Sequence, residues 1–254
     1  MEKKVVIISG GCGLLGTEFA KTLYIYNEGY IVIVLDLFSK VKGYKLDGYE
    51  EFGIDITSEY MVQETIKYIY EKYGHIDVAI NCAALNPQPK EQEDNFFENY
   101  SLKRWKETLD VNLTGSFLLS RECIKYMLKN EKEGFKGNII NIASDLGVIT
   151  SDNRIYDNGY IKPPCYGVSK AGLIQLTKYL GGYYRDKIKS VCLVPGSVYN
   201  GQSDSLKKNL ENRIPIGRLA RPNEYNEAIK FLCSSGSDYM QGQILVMDGG
   251  RGIW

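Results

Sequence analysis

The sequence of 254 residues carries 31 lysine plus arginine against 31 aspartate plus glutamate, with 44% hydrophobic and 24% charged residues, the make-up of an ordinary soluble globular chain. The balanced charge leaves no overall positive field to attract nucleic acid or an anionic membrane, and no apolar run approaches the roughly 18 residues that would span a bilayer. Six cysteines stand far apart at 12, 82, 123, 165, 192 and 233 without a CxxC pair, and His75 is the one histidine, so neither a metal site nor a disulfide framework is expected, and free thiols suit a reducing, cytoplasmic setting.

The opening Met1-Glu2-Lys3-Lys4 before apolar residues 5–8 imitates a secretory leader, but the run is too short and ends in Ser9-Gly10-Gly11, so it reads as a first strand over 5–9. A helix over 14–26 follows, then strands and helices in turn: a strand at 30–36, a helix at 60–73, a strand at 76–81, a helix at 105–129 and a strand at 138–143. The series closes with a helix at 166–184, a strand at 190–194, a helix at 222–232 and a strand at 244–248. The strands are short, apolar and β-branched, as strands buried on both faces are, while the helices repeat apolar residues every three or four positions. This alternation predicts one α/β domain over 1–254, a doubly wound parallel sheet of the Rossmann type with helices on both faces. Two connections, 86–103 and 145–165, exceed the roughly 2–6 residues usual for such loops. Both leave the carboxyl ends of strands, where ligands bind in open α/β sheets, so both are expected to serve a site.

After the first strand, Ser9-Gly10-Gly11-Cys12-Gly13-Leu14-Leu15-Gly16 opens a helix. Glycine permits the tight turn, brings main-chain N–H groups to a pyrophosphate and lets helix and strand pack closely. A glycine pattern alone is weak, but Asp36 stands 20 positions past Gly16 at the end of the second strand, the spacing of a dinucleotide site. A carboxylate there accepts hydrogen bonds from the adenosine ribose and repels a 2′-phosphate, which favours NAD over NADP, although Lys40 and Lys42 lie nearby. Farther on, Tyr166-Gly167-Val168-Ser169-Lys170 sets a phenol and an ammonium four residues apart on one helical face. A nearby cation lowers the pKa of a tyrosine that must exchange protons near neutrality.

The glycine loop, Asp36, Asp55, Asn81-Cys82-Ala83-Ala84, Asn112, Ser144, Tyr166, Lys170 and Pro195-Gly196 occur in the order that characterises classical short-chain dehydrogenases/reductases, and the sequence resembles that family from residue 5 to about 250. The resemblance implies that Tyr166 is the general acid/base, that Ser144 bonds the substrate oxygen, that Lys170 tunes the tyrosine and holds the nicotinamide ribose, and that Asn112 anchors a proton-relay water. It further implies cofactor contacts from Ser9, Gly10, Gly13, Leu14, Leu15, Gly16, Asp36, Asp55 and Ile56, from Asn81, Cys82 and Ala83 beside adenosine, and from Tyr166, Lys170, Pro195, Gly196 and Val198. A homodimer or homotetramer joined through the helices near 105–130 and 166–184 is likewise implied.

The sequence departs from the family at three points. Its glycine spacing is that of extended relatives such as sugar-nucleotide epimerases and dehydratases, which carry a larger C-terminal substrate domain; the 84 residues after Lys170 and their closing 242–250 segment lead us to expect the classical architecture instead. Ser144 stands unusually far before Tyr166, and Asn200 replaces a common threonine. The segments 198–202, 214–218 and 248–254 also resemble dehydrogenases of legionaminic-acid and flagellar-glycan biosynthesis. The expected function is therefore hydride transfer between NAD(H) and a carbonyl or alcohol, with a sugar phosphate or nucleotide-linked sugar as the small-molecule substrate. A 3-oxoacyl thioester reductase and a non-catalytic NAD-binding sensor are the alternatives, the latter opposed by the intact Asn112, Ser144, Tyr166 and Lys170. Asn86, Gln88, Lys90, Asp152, Asn153, Arg154, Asp157, Asn158 and Lys162 are expected to give the pocket mouth a polar lining, with Arg154 or Lys162 able to meet an anion.

Overall fold

A computed structural model describes residues 3–25, 29–43, 45–46, 48–87, 96–131, 133–157 and 159–253. Gln88, Lys90 and Asn158, expected at the pocket mouth, lie outside them. Eight strands form one sheet: β1 (Lys4–Ser9), β2 (Tyr30–Asp36), β3 (Lys45–Leu46), β4 (Tyr49–Gly53), β5 (Val78–Asn81), β6 (Gly137–Ile142), β7 (Ile188–Pro195) and β8 (Ile244–Met247). Their order is β3-β4-β2-β1-β5-β6-β7-β8. Every pairing is parallel except the β3–β4 hairpin. The chain thus winds outward from β1 to one edge, returns to β5 on the other side of β1, and winds out again. Ser9 and Asn81 are paired at that reversal, and the crevice above their carboxyl ends is where this topology places a ligand.

The helices α1 (Leu14–Ile25), α2 (Glu59–Tyr73), α3 (Leu102–Leu109), α4 (Gly115–Met127), α5 (Pro164–Tyr184), α6 (Asp204–Glu211) and α7 (Asn226–Cys233) flank the sheet. Because strand side chains alternate between faces, Val5 and Ile7 join a core with Ile66 and Ile69 of α2 and Leu119, Cys123 and Met127 of α4. Val6 and Ile8 join the opposite core with Phe19 and Leu23 of α1 and Ile229 and Leu232 of α7. Each such buried aliphatic side chain contributes about 1.5–3 kcal/mol relative to exposure, which is why the uninterrupted apolar runs announced these strands.

The sequence reading falls short in three places. β4, with the sequence YEEFG, was not expected to be a strand, because its two glutamates and closing glycine break the apolar run by which a buried strand is read; it lies between β2 and the two-residue edge strand β3. Its Glu50 is nevertheless buried and paired with Lys72 of α2. α6 is a largely polar helix capped by Ser203, whose hydroxyl accepts the Leu206 N–H, and carries too few apolar residues to show a periodic stripe. The helix expected over 105–129 is divided into α3 and α4 by a wider π-type turn at Asp110–Thr114, in which the Gly115 N–H reaches back to the Asp110 carbonyl.

Candidate active site

The glycine loop is built by backbone approach. Gly10 has a φ of +66°, and a Cβ on it would lie 2.6 Å from the Ala83 Cα, so any side chain here would drive the loop away from β5. At Gly16 a Cβ would collide with the Gly10 carbonyl itself. The Ser9 hydroxyl accepts the N–H groups of Cys82 and Ala83 at 3.3 and 3.4 Å, tying β1 to β5 at the reversal. Asp36 is oriented by two amides: Cys12 N–H donates to Oδ2 at 2.9 Å and Leu37 N–H to Oδ1 at 2.8 Å. The carboxylate is thereby fixed against the glycine loop. Asp55 accepts from the Thr57 amide and hydroxyl at 2.9 and 2.7 Å; helix α2 is capped by Ser58 instead.

These groups surround a cleft of 300 Å³, lined among others by Ser9, Gly10, Gly13, Leu14, Leu15, Gly16, Asp36, Asp55, Ile56, Cys82, Ala83, Tyr166 and Lys170. A second cavity of 560 Å³ adjoins it and is lined by Ser144, Tyr166, Pro195, Gly196 and Val198, together with Asp145, Tyr156, Tyr160, Lys162, Asn200, Gln202 and Arg251. Leu14, Leu15, Asn86, Ala143 and Tyr166 border both. The phenol therefore stands at the junction of the two cavities.

Two expected site residues do not reach either cavity. Asn81 turns inward, where its amide donates to Ser120 Oγ at 2.8 Å and Asn141 Oδ1 at 2.7 Å, so β5, β6 and α4 share one buried polar network. Asn112 is also wholly buried. Its Oδ1 accepts the Leu85 N–H at 2.7 Å, while its amide donates to the Leu85 carbonyl at 3.0 Å and Ser169 Oγ at 2.9 Å. The side chain thus pins the segment after β5 to helix α5 from within the π-type turn, a helix irregularity often found at functional sites.

Tyr166 and Lys170 share one face of α5, as their spacing predicts. Burial pushes the phenol up to about 12, with a hydrogen bond to Ser144 acting in the opposite direction and the Asp145 charge adding to the rise. Burial also lowers the Lys170 ammonium to about 8. Its Nζ donates to the Ile142 carbonyl at 2.7 Å and lies 5.9 Å from the Tyr166 ring centroid, whereas Lys162 approaches the same ring to 4.8 Å. The expected lowering of the tyrosine by its lysine partner is not what the structure gives: desolvation dominates and the phenol is raised. Cys82 in the same cleft is raised to about 11, chiefly by burial, and Cys12 likewise to about 11, by burial and then by Asp36. Neither thiol is primed as a nucleophile.

The chamber lining is mixed, with Leu146, Leu206 and Leu210 beside its polar groups, and most of the loop residues expected to make it polar face elsewhere. Arg154 is spent on Asp152, with Nε and Nη2 contacts of 2.8 and 3.0 Å, and Asp152 also pairs with Arg213 at 2.7 Å. Asp157 accepts from Ser205 at 2.8 Å, and Asn153 accepts the Lys162 N–H at 3.2 Å. These side chains fasten the 145–165 loop to itself and to α6 rather than facing the pocket. Lys162 does line it, donating to Asn86 Oδ1 and to the Pro87 carbonyl at 3.0 Å. The sequence reading missed Asp145 and Arg251, which meet in a 2.8 Å ion pair at the chamber wall. Separated by 106 positions, they carry no local signal.

Among the described residues there is no cluster of His, Cys, Asp or Glu that could hold a metal and no helix long and apolar enough to cross a membrane. All six cysteines are free. The chain matches, over residues 25–251, a family model described as Enoyl-(Acyl carrier protein) reductase. A 3-oxoacyl-[acyl-carrier-protein] reductase of Thermotoga maritima is 28% identical and the match covers 98% of both chains. The crystal structure of a short chain dehydrogenase from Leptospira borgpetersenii with bound NAD+ is 33% identical, superposes with a TM-score of 0.87 and is matched over 99% of this chain and 94% of that one. The structure of an aldohexose dehydrogenase from Thermoplasma acidophilum is 25% identical, with a TM-score of 0.80 and coverage of 100% and 95%. The cleft, the phenol at its inner end and these similarities together place the chain in the short-chain dehydrogenase/reductase family of oxidoreductases, in its classical form.

Proposed function

We propose that this enzyme transfers a hydride between NAD(H) and the carbonyl or alcohol carbon of a polar, polyhydroxylated substrate, with Tyr166 handling the proton. The observation that carries the proposal is the position of the phenol: it borders both cavities, with Ser144 beside it in one and Lys170 in the other. The 300 Å³ cleft suits a dinucleotide because its glycines offer backbone where a Cβ would block approach, and its acidic Asp36 stands where a ribose hydroxyl pair would be read. When bound, the nicotinamide supplies or accepts the hydride.

The chain's own residues do the rest. Gly10, Gly13, Leu14, Leu15 and Gly16 would hold the pyrophosphate, Asp36 would accept from the adenosine ribose, and Asp55, Ile56, Cys82 and Ala83 would border adenine. Asn81 supports that wall from behind. Lys170 would donate to the nicotinamide ribose, and Pro195, Gly196 and Val198 would border the nicotinamide. Burial keeps Tyr166 protonated near neutral pH, so it enters a reduction as the donor, with Ser144 positioning the substrate oxygen. Asn112, through its widened helical turn, is assigned the anchor of a relay water. The exposed Phe117, Val168, Tyr179 and Tyr183 on α4 and α5 support a homo-oligomer built through those helices.

For the substrate, Tyr156, Tyr160, Lys162, Asn200, Gln202 and Arg251 in the chamber wall favour a sugar phosphate or nucleotide-linked sugar over an acyl chain, which would seek an apolar groove. The similarity to the Thermotoga 3-oxoacyl reductase supports the thioester alternative. One experiment separates them: kcat/KM measured across hexose phosphates, nucleotide sugars, acetoacetyl thioesters and steroid ketones, each with NADH and with NADPH. We expect a sugar to rank first and NADH to be preferred at least tenfold, about 1.4 kcal/mol, with Asp36→Ala narrowing that margin. A thioester ranking first would overturn the sugar assignment and leave hydride transfer intact. Turnover of nothing in the panel, with no NADH binding, would contradict hydride transfer itself.

A further inference from the structure

The Ser144 hydroxyl is already engaged before any substrate arrives. It donates to Asp145 Oδ1 at 2.9 Å and accepts the Leu146 N–H at 3.2 Å. Asp145 is buried against Arg251, whose Nη1 reaches Oδ2 at 2.8 Å, and both side chains are more than nine-tenths buried. An ionised carboxylate only accepts, and a hydroxyl has one proton and two lone pairs. The Ser144 proton must therefore go to Asp145. At rest that proton is held by the carboxylate and is not offered to a substrate oxygen.

Engaging a substrate oxygen requires the Ser144 hydroxyl to turn and release Asp145. No bond other than this hydrogen bond changes in that step. A bare buried carboxylate would hold the Ser144 proton strongly, since hydrogen bonds to charged groups in a dry site are the strong ones. Arg251 changes this balance. It satisfies the other carboxylate oxygen, spreads the charge, and leaves Oδ1 with the Leu146 N–H at 2.8 Å when the serine departs. It also offsets the Asp145 charge that opposes formation of phenolate.

We propose that Asp145 and Arg251 form a positioning pair for the reaction: Asp145 parks the Ser144 proton, and Arg251 weakens that hold enough for Ser144 to turn to the substrate. This rests on the assignment of Tyr166 and Ser144 above. Its distinguishing consequence is that Arg251 is needed only because Asp145 is present, whereas a purely structural ion pair would affect stability and leave the turnover of folded enzyme alone.

The test compares native enzyme, Arg251→Met, the double variant Asp145→Ala/Arg251→Met, and Tyr166→Phe, with NADH and the panel carbonyl of highest kcat/KM. Arg251→Met should lower kcat by about 30-fold or more, the scale of one charge-assisted hydrogen bond, while KM and the NADH Kd from fluorescence stay within about twofold. The double variant should regain at least tenfold of that loss. Arg251→Met with a kcat within threefold of native, or a double variant no faster than Arg251→Met, would overturn the proposal. Where Arg251→Met yields no folded protein, the double variant decides, having no buried charge: a kcat within tenfold of native at unchanged KM supports the pair's role, and a kcat as low as that of Tyr166→Phe overturns it. Native-like turnover by Tyr166→Phe would instead remove the proton-donor assignment on which the pair depends.

Discussion

Replacing Tyr166 with phenylalanine should lower kcat by between about 10² and 10⁴, the usual contribution of a positioned general acid, while NADH binds as in the native enzyme. The substitution removes one oxygen and retains the ring, whose packing at the junction of the two cavities shapes both. The Ser144 hydroxyl keeps the Leu146 N–H and the Asp145 carboxylate as partners, so the fold should lose no more than about 1 kcal/mol, the net value of one hydrogen bond. Steady-state rates, NADH fluorescence titration and a urea melt measure the three quantities separately. A variant that keeps more than a tenth of native kcat would mean that the proton comes from another group.

Lys170→Met should separate stability from function. Burial holds the native ammonium at about 8 against an ordinary 10.5, so between those pH values the unfolded chain carries a proton that the folded protein has released. Stability then rises with pH across that window, by up to about 3 kcal/mol for a shift of this size. Below pH 8 the folded state carries the full desolvation penalty. Methionine fills similar space with no charge, so the variant should be no less stable than native at pH 7, even after losing the bond to the Ile142 carbonyl, and should lack the rise between pH 8 and 10.5. Its activity should move the other way, with kcat down about 10²-fold and NADH affinity down tenfold or more, as expected when a charge-assisted donor is lost. Urea melts at pH 7 and 10 beside the same kinetic assays check both halves. A variant that is both active and destabilised at pH 7 would show that Lys170 serves packing instead.

What could be read from the sequence follows from where each physical constraint is local. β2 at Tyr30–Asp36 coincides with its apolar run, because a strand buried on both faces leaves an unbroken signal. The glycine loop, Asp36 and the Tyr166–Lys170 pair are likewise encoded in spacing, and the structure brings them to one cleft. β4 and α6 were not legible, since a strand of sequence YEEFG and a helix of sequence DSLKKNLE carry too few apolar residues to show a period. The inward turn of Asn81 and Asn112 was not legible either, because a polar residue at a strand end or helix turn can face a ligand or a neighbouring element equally well. Arg154 and Asp157 showed that a loop's composition predicts its polarity but not which of its side chains face inward. Asp145 and Arg251 become neighbours only when β6 and the turn at Arg251–Ile253 come together at the chamber wall.

The central claim is that the phenol at the cleft's inner end completes a hydride transfer between a nicotinamide and a carbonyl carbon. The most direct measurement uses NADH carrying deuterium at the transferring position, with the preferred panel carbonyl, native enzyme and Tyr166→Phe, and reads the product by mass spectrometry. The account predicts one deuterium on the newly reduced carbon of every product molecule formed by native enzyme, and product slowed by about 10² or more in the variant. Product without deuterium, or product formed equally fast by Tyr166→Phe, would contradict it.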